Sequence, residues 1–166
     1  MKQLHPRAVW LFFIKNFIFW FIFLGLVAYF TSGWTLPKIA KTADPWGTIL
    51  KIIGIVILFD IIWSYIWARL SYHFYKYELT DREFKKEYGV ISKHYVAIPY
   101  DRIQNIDIQR GIWARILGLS ELYIQTAGEG GTSIAEGRLP GLFKEDAERL
   151  KEELMNRINL LKNQGL

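Results

Sequence analysis

The chain has no cysteine, three histidines and two methionines among 166 residues. Without cysteine there can be no disulfide, no thiolate metal site and no cysteine nucleophile. The lack of disulfides fits a reducing compartment. His5, His73 and His94 are scattered and lack metal-ligand spacing. Ser133 lies in no nucleophile-elbow pattern, and the GEGG run at 128–131 has neither a dinucleotide-binding GxGxxG nor a Walker lysine. The Glu152–Glu153 pair belongs to the polar face of a helical pattern and reads as solvation. No catalytic residue, cofactor or metal is expected.

Charge is also scarce where apolar residues are dense. Residues 1–70 hold 16 of the 27 aromatics and carry seven Lys/Arg against two acids, Asp44 and Asp60, a net of +5. Residues 71–166 carry 14 basic and 14 acidic residues. A nucleic-acid binder is expected to carry its positive charge on a folded domain, and this second half is neutral. No nucleic-acid partner is expected.

What is present is a pair of long apolar segments, at about 8–30 and 49–70. A helix needs ~20 apolar residues to cross a bilayer, so each can span. Trp10, Trp34, Trp46, Trp63 and Trp67 lie mostly near the predicted ends, as an interfacial aromatic belt requires. The first run exceeds the ~7–15 residues of a signal-peptide core and no small-x-small cleavage site follows, so it reads as a retained helix. Residues 31–48 contain Gly33, Pro37, Pro45 and Gly47 and read as a connecting outer loop. The division predicted is a membrane anchor over 1–70 and a soluble domain over 71–166.

Basic residues flank both outer ends: Lys2 and Arg7 before the first span, and Arg69, Lys76, Arg82, Lys85 and Lys86 after the second. Lys38 and Lys41 lie in the loop. The positive-inside bias therefore predicts a multi-pass protein of the cell membrane with both termini and the soluble domain cytoplasmic. Lys15 and Asn16 interrupt the first span, and Asp60 sits near the middle of the second. A charge at that depth costs about 3 kcal/mol on insertion scales, so it faces protein or water. A contact of Asp60 with Lys15 or Asn16, or Lys15 snorkelling to the interface, is one expectation; an ion or proton path through Asp60 is the other.

From residue 72 the apolar period changes to two. Segments 72–80, 83–91, 94–99, 103–109, 122–126 and 132–139 read as short strands, with a Gly-rich loop at 127–131 and a break at Pro140–Gly141. Phe143, Ala147, Leu150, Leu154, Ile158 and Leu161 then recur at helical spacing over 143–162. Glu145 and Asp146 lie in the first turn, where the helix dipole favours anions. A curved antiparallel sheet closed by one amphipathic helix is the architecture expected.

One set of residues carries a resemblance: Ile98-Pro99, Arg102-Ile103-Gln104, Gln109, Arg115, Leu117-Gly118-Leu119, Thr126-Ala127-Gly128 and Leu139-Pro140-Gly141-Leu142. In this order and spacing the chain resembles the YdbS-like bacterial PH-domain membrane proteins over nearly its whole length. The resemblance implies a two-helix transmembrane hairpin followed by an α+β PH-like domain, a curved antiparallel or partly open barrel capped by a C-terminal helix. Within the motif, Pro99, Arg102, Gln104, Gly111, Gly118 and Gly128 read as structural. Gly118 would supply a positive φ where the chain re-enters the sheet, while Arg102 and Gln104 would satisfy backbone groups at strand ends. Lys76, Lys85, Lys86, Lys93, Trp113 and Arg115 are the candidate contacts to lipid or a partner. The function expected is a non-catalytic interaction or assembly module on the bilayer, meeting itself or another membrane protein; binding of anionic headgroups is the alternative.

Overall fold

A computed structural model describes residues 2–126 and 137–163, with side chains to residue 160. Two long helices come first. Helix α1 spans Ala8–Ile39 and α2 spans Pro45–Phe74, each with a mean hydropathy of 2.2 over its most apolar window. At ~1.5 Å per residue α1 is about 48 Å long, well beyond a ~30 Å hydrocarbon core. Both helices run further than the sequence predicts, through residues 31–39 and 45–48 of the expected loop and through 71–74, where the start of a strand was expected. Pro37 falls in the last turn of α1. Pro45 begins α2, where its fixed φ suits a first helical position and its missing N–H costs nothing. Asp44 precedes it, and its Oδ1 accepts the Gly47 N–H at 2.9 Å as an N-cap.

The remaining elements build the domain. Strands β2 (Lys76–Leu79), β3 (Glu83–Tyr88) and β4 (His94–Pro99) form an antiparallel meander. A 3-10 turn, Tyr100–Arg102, leads to β5 (Ile103–Gln109), the short helix α3 (Ile112–Ile116), β6 (Leu119–Thr126) and β7 (Leu139–Phe143). Strands β5, β6 and β7 form a second antiparallel sheet. Among the described residues the two sheets do not close into one barrel. Helix α4, Lys144–Asn163, packs against β5, β6, β7 and the Tyr100 turn. Its buried residues Ala147, Leu150, Leu154 and Ile158 form the stripe the spacing predicts, and Ile106, Leu119, Leu122, Ile124 and Leu139 are buried on the strands it packs against.

Sequence periodicity missed one strand. Lys2–Gln3 forms β1, which pairs antiparallel with β2 through Lys2↔Tyr77 and Gln3↔Lys76. Two residues are too few to show a period, and their partner lies more than 70 positions away. Leu4, Ala8 and Val9 are buried, and residues 1–11 group with 70–166 as one compact unit; residues 12–69 form the other.

Pro140–Gly141, read from sequence as a break, lies inside β7. The β6–β7 register is irregular between Ser120 and Leu122, so the pair occupies a bulge opposite Glu121. Strand β7 is an edge of its described sheet, where a proline's missing N–H is tolerated. Segment 127–136, which contains most of the predicted strand 132–139 and Gly128, lies outside the described residues.

Candidate interaction surfaces and the N-terminal strap

The segment before α1 ties the two sheets together. Its β1 extends the first sheet at β2, while the His5 N–H donates to the Gly141 carbonyl of β7, in the second sheet, at 3.2 Å. Tyr72 adds a hydrogen bond from its hydroxyl to the Leu4 carbonyl at 3.2 Å. The His5 ring lies 3.9 Å, centroid to centroid, from Phe143, and the Arg7 guanidinium stands 5.5 Å over the same ring. Gly141 makes the approach possible. Its φ is +71°, and a Cβ there would come within 2.4 Å of the Ala8 Cβ. The His5 Nδ1 accepts the Arg7 backbone N–H at 3.2 Å, so the ring is neutral at that nitrogen. Desolvation, then the Arg7 charge, lower its pKa below the ordinary histidine value, and Asp146 opposes them weakly. In the sequence His5 stood only as a scattered histidine, Arg7 as a basic flank and Gly141 as part of a break and a motif; nothing there joined them.

The basic candidates are dispersed and mostly neutralised. Lys85 Nζ lies 2.8 Å from Glu83, whose hydrogen bond and charge hold the ammonium above its usual pKa. Lys93 lies 3.5 Å from Glu87 and also 5.7 Å over the Phe74 ring. Lys76 pairs in register with the same Glu87 and is half-buried. Lys86, expected at the surface, is only 6% exposed, and its Nζ stands 4.9 Å over the Tyr88 ring. It alternates with Phe84 on the inner face of β3, as the strand period requires, so it cannot reach a headgroup. Trp113 and Arg115 stand on α3, beside β6 in the other sheet, and both are exposed.

The motif residues divide. Gly118 has the positive φ expected, +71°. Gly111 is extended at the start of α3, with open space where a Cβ would stand, so no steric demand selects glycine there. Pro99 ends β4 opposite Glu83. Arg102 and Gln104 are exposed and, among the described residues, do not make the backbone bonds expected of them; Gln104 is the extra residue of a bulge between Ile103 and Asn105. The joint is held instead by Tyr100, fully buried, whose hydroxyl donates to the Thr80 carbonyl at 2.7 Å. Arg157 of α4 donates to the same carbonyl at 2.8 Å. A second network absent from the sequence reading joins Arg138 to Glu121, at 2.6 and 2.9 Å, with the Tyr123 hydroxyl donating to the same carboxylate and the Tyr75 hydroxyl to the Arg138 carbonyl.

Within the spans, Asp60 is 2% exposed and accepts the Ser64 hydroxyl at 3.1 Å. Neither Lys15 nor Asn16 bonds to it among the described residues. Lys15 is exposed, while Asp60 Oδ2 and Asn16 Nδ2 are buried without a hydrogen-bond partner.

A shallow groove of about 560 Å³ is lined by Asp81 and by α4 residues including Arg149, Glu152, Glu153 and Arg157. It contains charges that pair with each other and no nucleophile beside a base. Among the described residues no three His, Asp or Glu side chains converge as a metal site would require.

Two apolar spans feeding a two-sheet domain with a closing helix define a membrane protein carrying a PH-like module. The chain belongs to the bacterial PH domain family, which it matches over residues 9–158. It is similar to the UPF0699 transmembrane protein YdbT of Bacillus subtilis (strain 168), at 32% identity over 166 aligned residues covering 94% of this chain. The match covers 29% of that relative's length. No solved structure matches the chain.

Proposed function

We propose that this PH-like module is a non-catalytic interaction platform that recruits a membrane protein or a second copy of itself at the bilayer surface. The observation that carries the reading is the outer side of the β3–β4 hairpin. Ile91 at its turn is 86% exposed and Tyr95 on β4 is 69% exposed. Large apolar side chains so open to solvent are a common mark of a protein contact. The neighbouring cations are taken up by Glu83 and Glu87, which makes this surface a weaker match to anionic headgroups.

The pairing of β1 with β2 supports reading the N-terminus and the domain on one face of the bilayer, with α1 and α2 crossing as a hairpin. The basic flanks favour the cytoplasm for that face by the positive-inside bias.

Photocrosslinking from Tyr95 in native membranes tests the reading. A discrete adduct with a membrane protein or a second copy, lost in Ile91→Glu, is expected. A strictly monomeric, adduct-free protein contradicts it. Preferential binding of the protein, through this hairpin, to anionic over neutral vesicles would favour the headgroup reading instead.

A further inference from the structure

We propose that α3 is a second membrane contact, a one-turn wedge that dips into the lipid interface of the leaflet beside the anchor. This inference depends on membrane anchoring and not on the partner reading above. Helix α3 is held to the domain by Ala114, which is 1% exposed, and turns its largest side chains outward. Ile112 is 74% exposed, Ile116 70% and Trp113 48%. Three such residues in one turn cost solubility unless something covers them.

Three observations favour lipid as the cover. The first is position. Gly118, just past the end of α3, lies next to the strap: a Cβ there would stand 3.9 Å from Arg7 Nη1. Arg7 immediately precedes α1, and Phe143 under its guanidinium pairs with Leu119. The wedge therefore projects from the part of the domain where the chain departs for the bilayer. The second is composition. Isoleucines insert among acyl chains, and tryptophan favours the headgroup boundary, where one edge of its ring stays wet. The third is charge. Exposed Arg110 and Arg115 flank the apolar residues, and neither has an ion-pair partner among the described residues. Cations at that depth are drawn to anionic lipid. This is insertion supported by charge, with no pocket for a particular headgroup.

The absence of native cysteine allows a direct test on the full chain. A nitroxide is placed at Ile116→Cys or Ile112→Cys, with Asn156→Cys, exposed on α4 beside the β2–β3 turn, as the aqueous reference. The protein is reconstituted in phosphatidylcholine–phosphatidylglycerol vesicles. Relaxation by a water-soluble nickel chelate should be several-fold weaker at the α3 positions than at Asn156→Cys, and relaxation by oxygen stronger. The protection should persist at one copy per vesicle. Equal chelate access at all three positions overturns the proposal. So does protection that vanishes on dilution, which would assign the wedge to a second copy. A cysteine-free measurement guards against disruption by the label: brominated lipid should quench the fluorescence difference between the native chain and Trp113→Phe, and no quenching of that difference refutes insertion.

Discussion

The two halves of this molecule arrange similar residues in opposite directions. In the anchor the large apolar side chains point outward: Phe30 is 80% exposed and Trp46 77%. The residues it buries include Asp60 and Ser64. In the domain Phe84, Ile98, Leu122 and Leu154 are sealed inside, and charge lies mostly on the outer faces. The difference reflects the solvent. Against water, apolar burial drives folding at about 25 cal/mol per Å². Against lipid that drive is absent, and helices associate through close packing and buried polar contacts. Composition alone therefore does not say which way a residue faces; its surroundings do.

Paired truncations should break this symmetry most clearly. Leu122→Ala in the domain should cost about 4 kcal/mol, from lost transfer energy and the cavity left behind. Phe30→Ala, which opens no protein cavity, should stay within about 0.5 kcal/mol. Chemical unfolding of the full chain in detergent, followed by near-UV circular dichroism, measures both; equal costs would dissolve the contrast.

Gly141→Ala comes next, because a methyl group must enter the space of Ala8 at a positive φ. It should destabilise the domain by about 3 kcal/mol and release the strap, read as faster hydrogen exchange at His5 and along β2. Asp60→Leu tests whether the halves are energetically separate. It should leave the domain's stability within about 0.5 kcal/mol, since Asp60 belongs to the other compact unit, while lowering the yield of crosslinked partner if Asp60 Oδ2 finds its partner in assembly. A loss of domain stability would mean the units are coupled.

The smallest effect concerns pH. A histidine whose folded pKa lies below its unfolded ~6.5 binds fewer protons folded than unfolded, so stability falls as pH drops through that value and levels off below the folded pKa. Strap protection factors, taken relative to the intrinsic exchange rate at each pH, should therefore fall modestly below about pH 6.5, and His5→Gln should remove that fall.

The sequence made the anchor, the strand meander and the α4 stripe legible because each repeats a period over several residues. Ala147, Leu150, Leu154 and Ile158 needed only their spacing. The strap did not repeat anything: β1 takes its bonds from a distant strand, and Gly141 matters because of Ala8, not its neighbours. Lys86 was misplaced for a related reason. A long cation on a strand invites a solvent reading, but position 86 shares its face with Phe84, and an aromatic ring receives the ammonium. The surface candidates were legible as residue types only. The glutamates that neutralise Lys85 and Lys93 were visible in the sequence, but the pairing that brings Lys76 to Glu87 requires the β2–β3 register.

The central claim is that residues 2–9 belong to the domain, so both ends of the hairpin share one face. Single cysteines at Gln3, Lys41 and Lys93 in the otherwise cysteine-free chain, probed with a membrane-impermeant thiol reagent on intact cells and then on opened membranes, test it most directly. Gln3→Cys and Lys93→Cys should label together, only after opening, and Lys41→Cys should label on intact cells. Labelling of Gln3→Cys with Lys41→Cys, on the face opposite Lys93→Cys, would contradict the account.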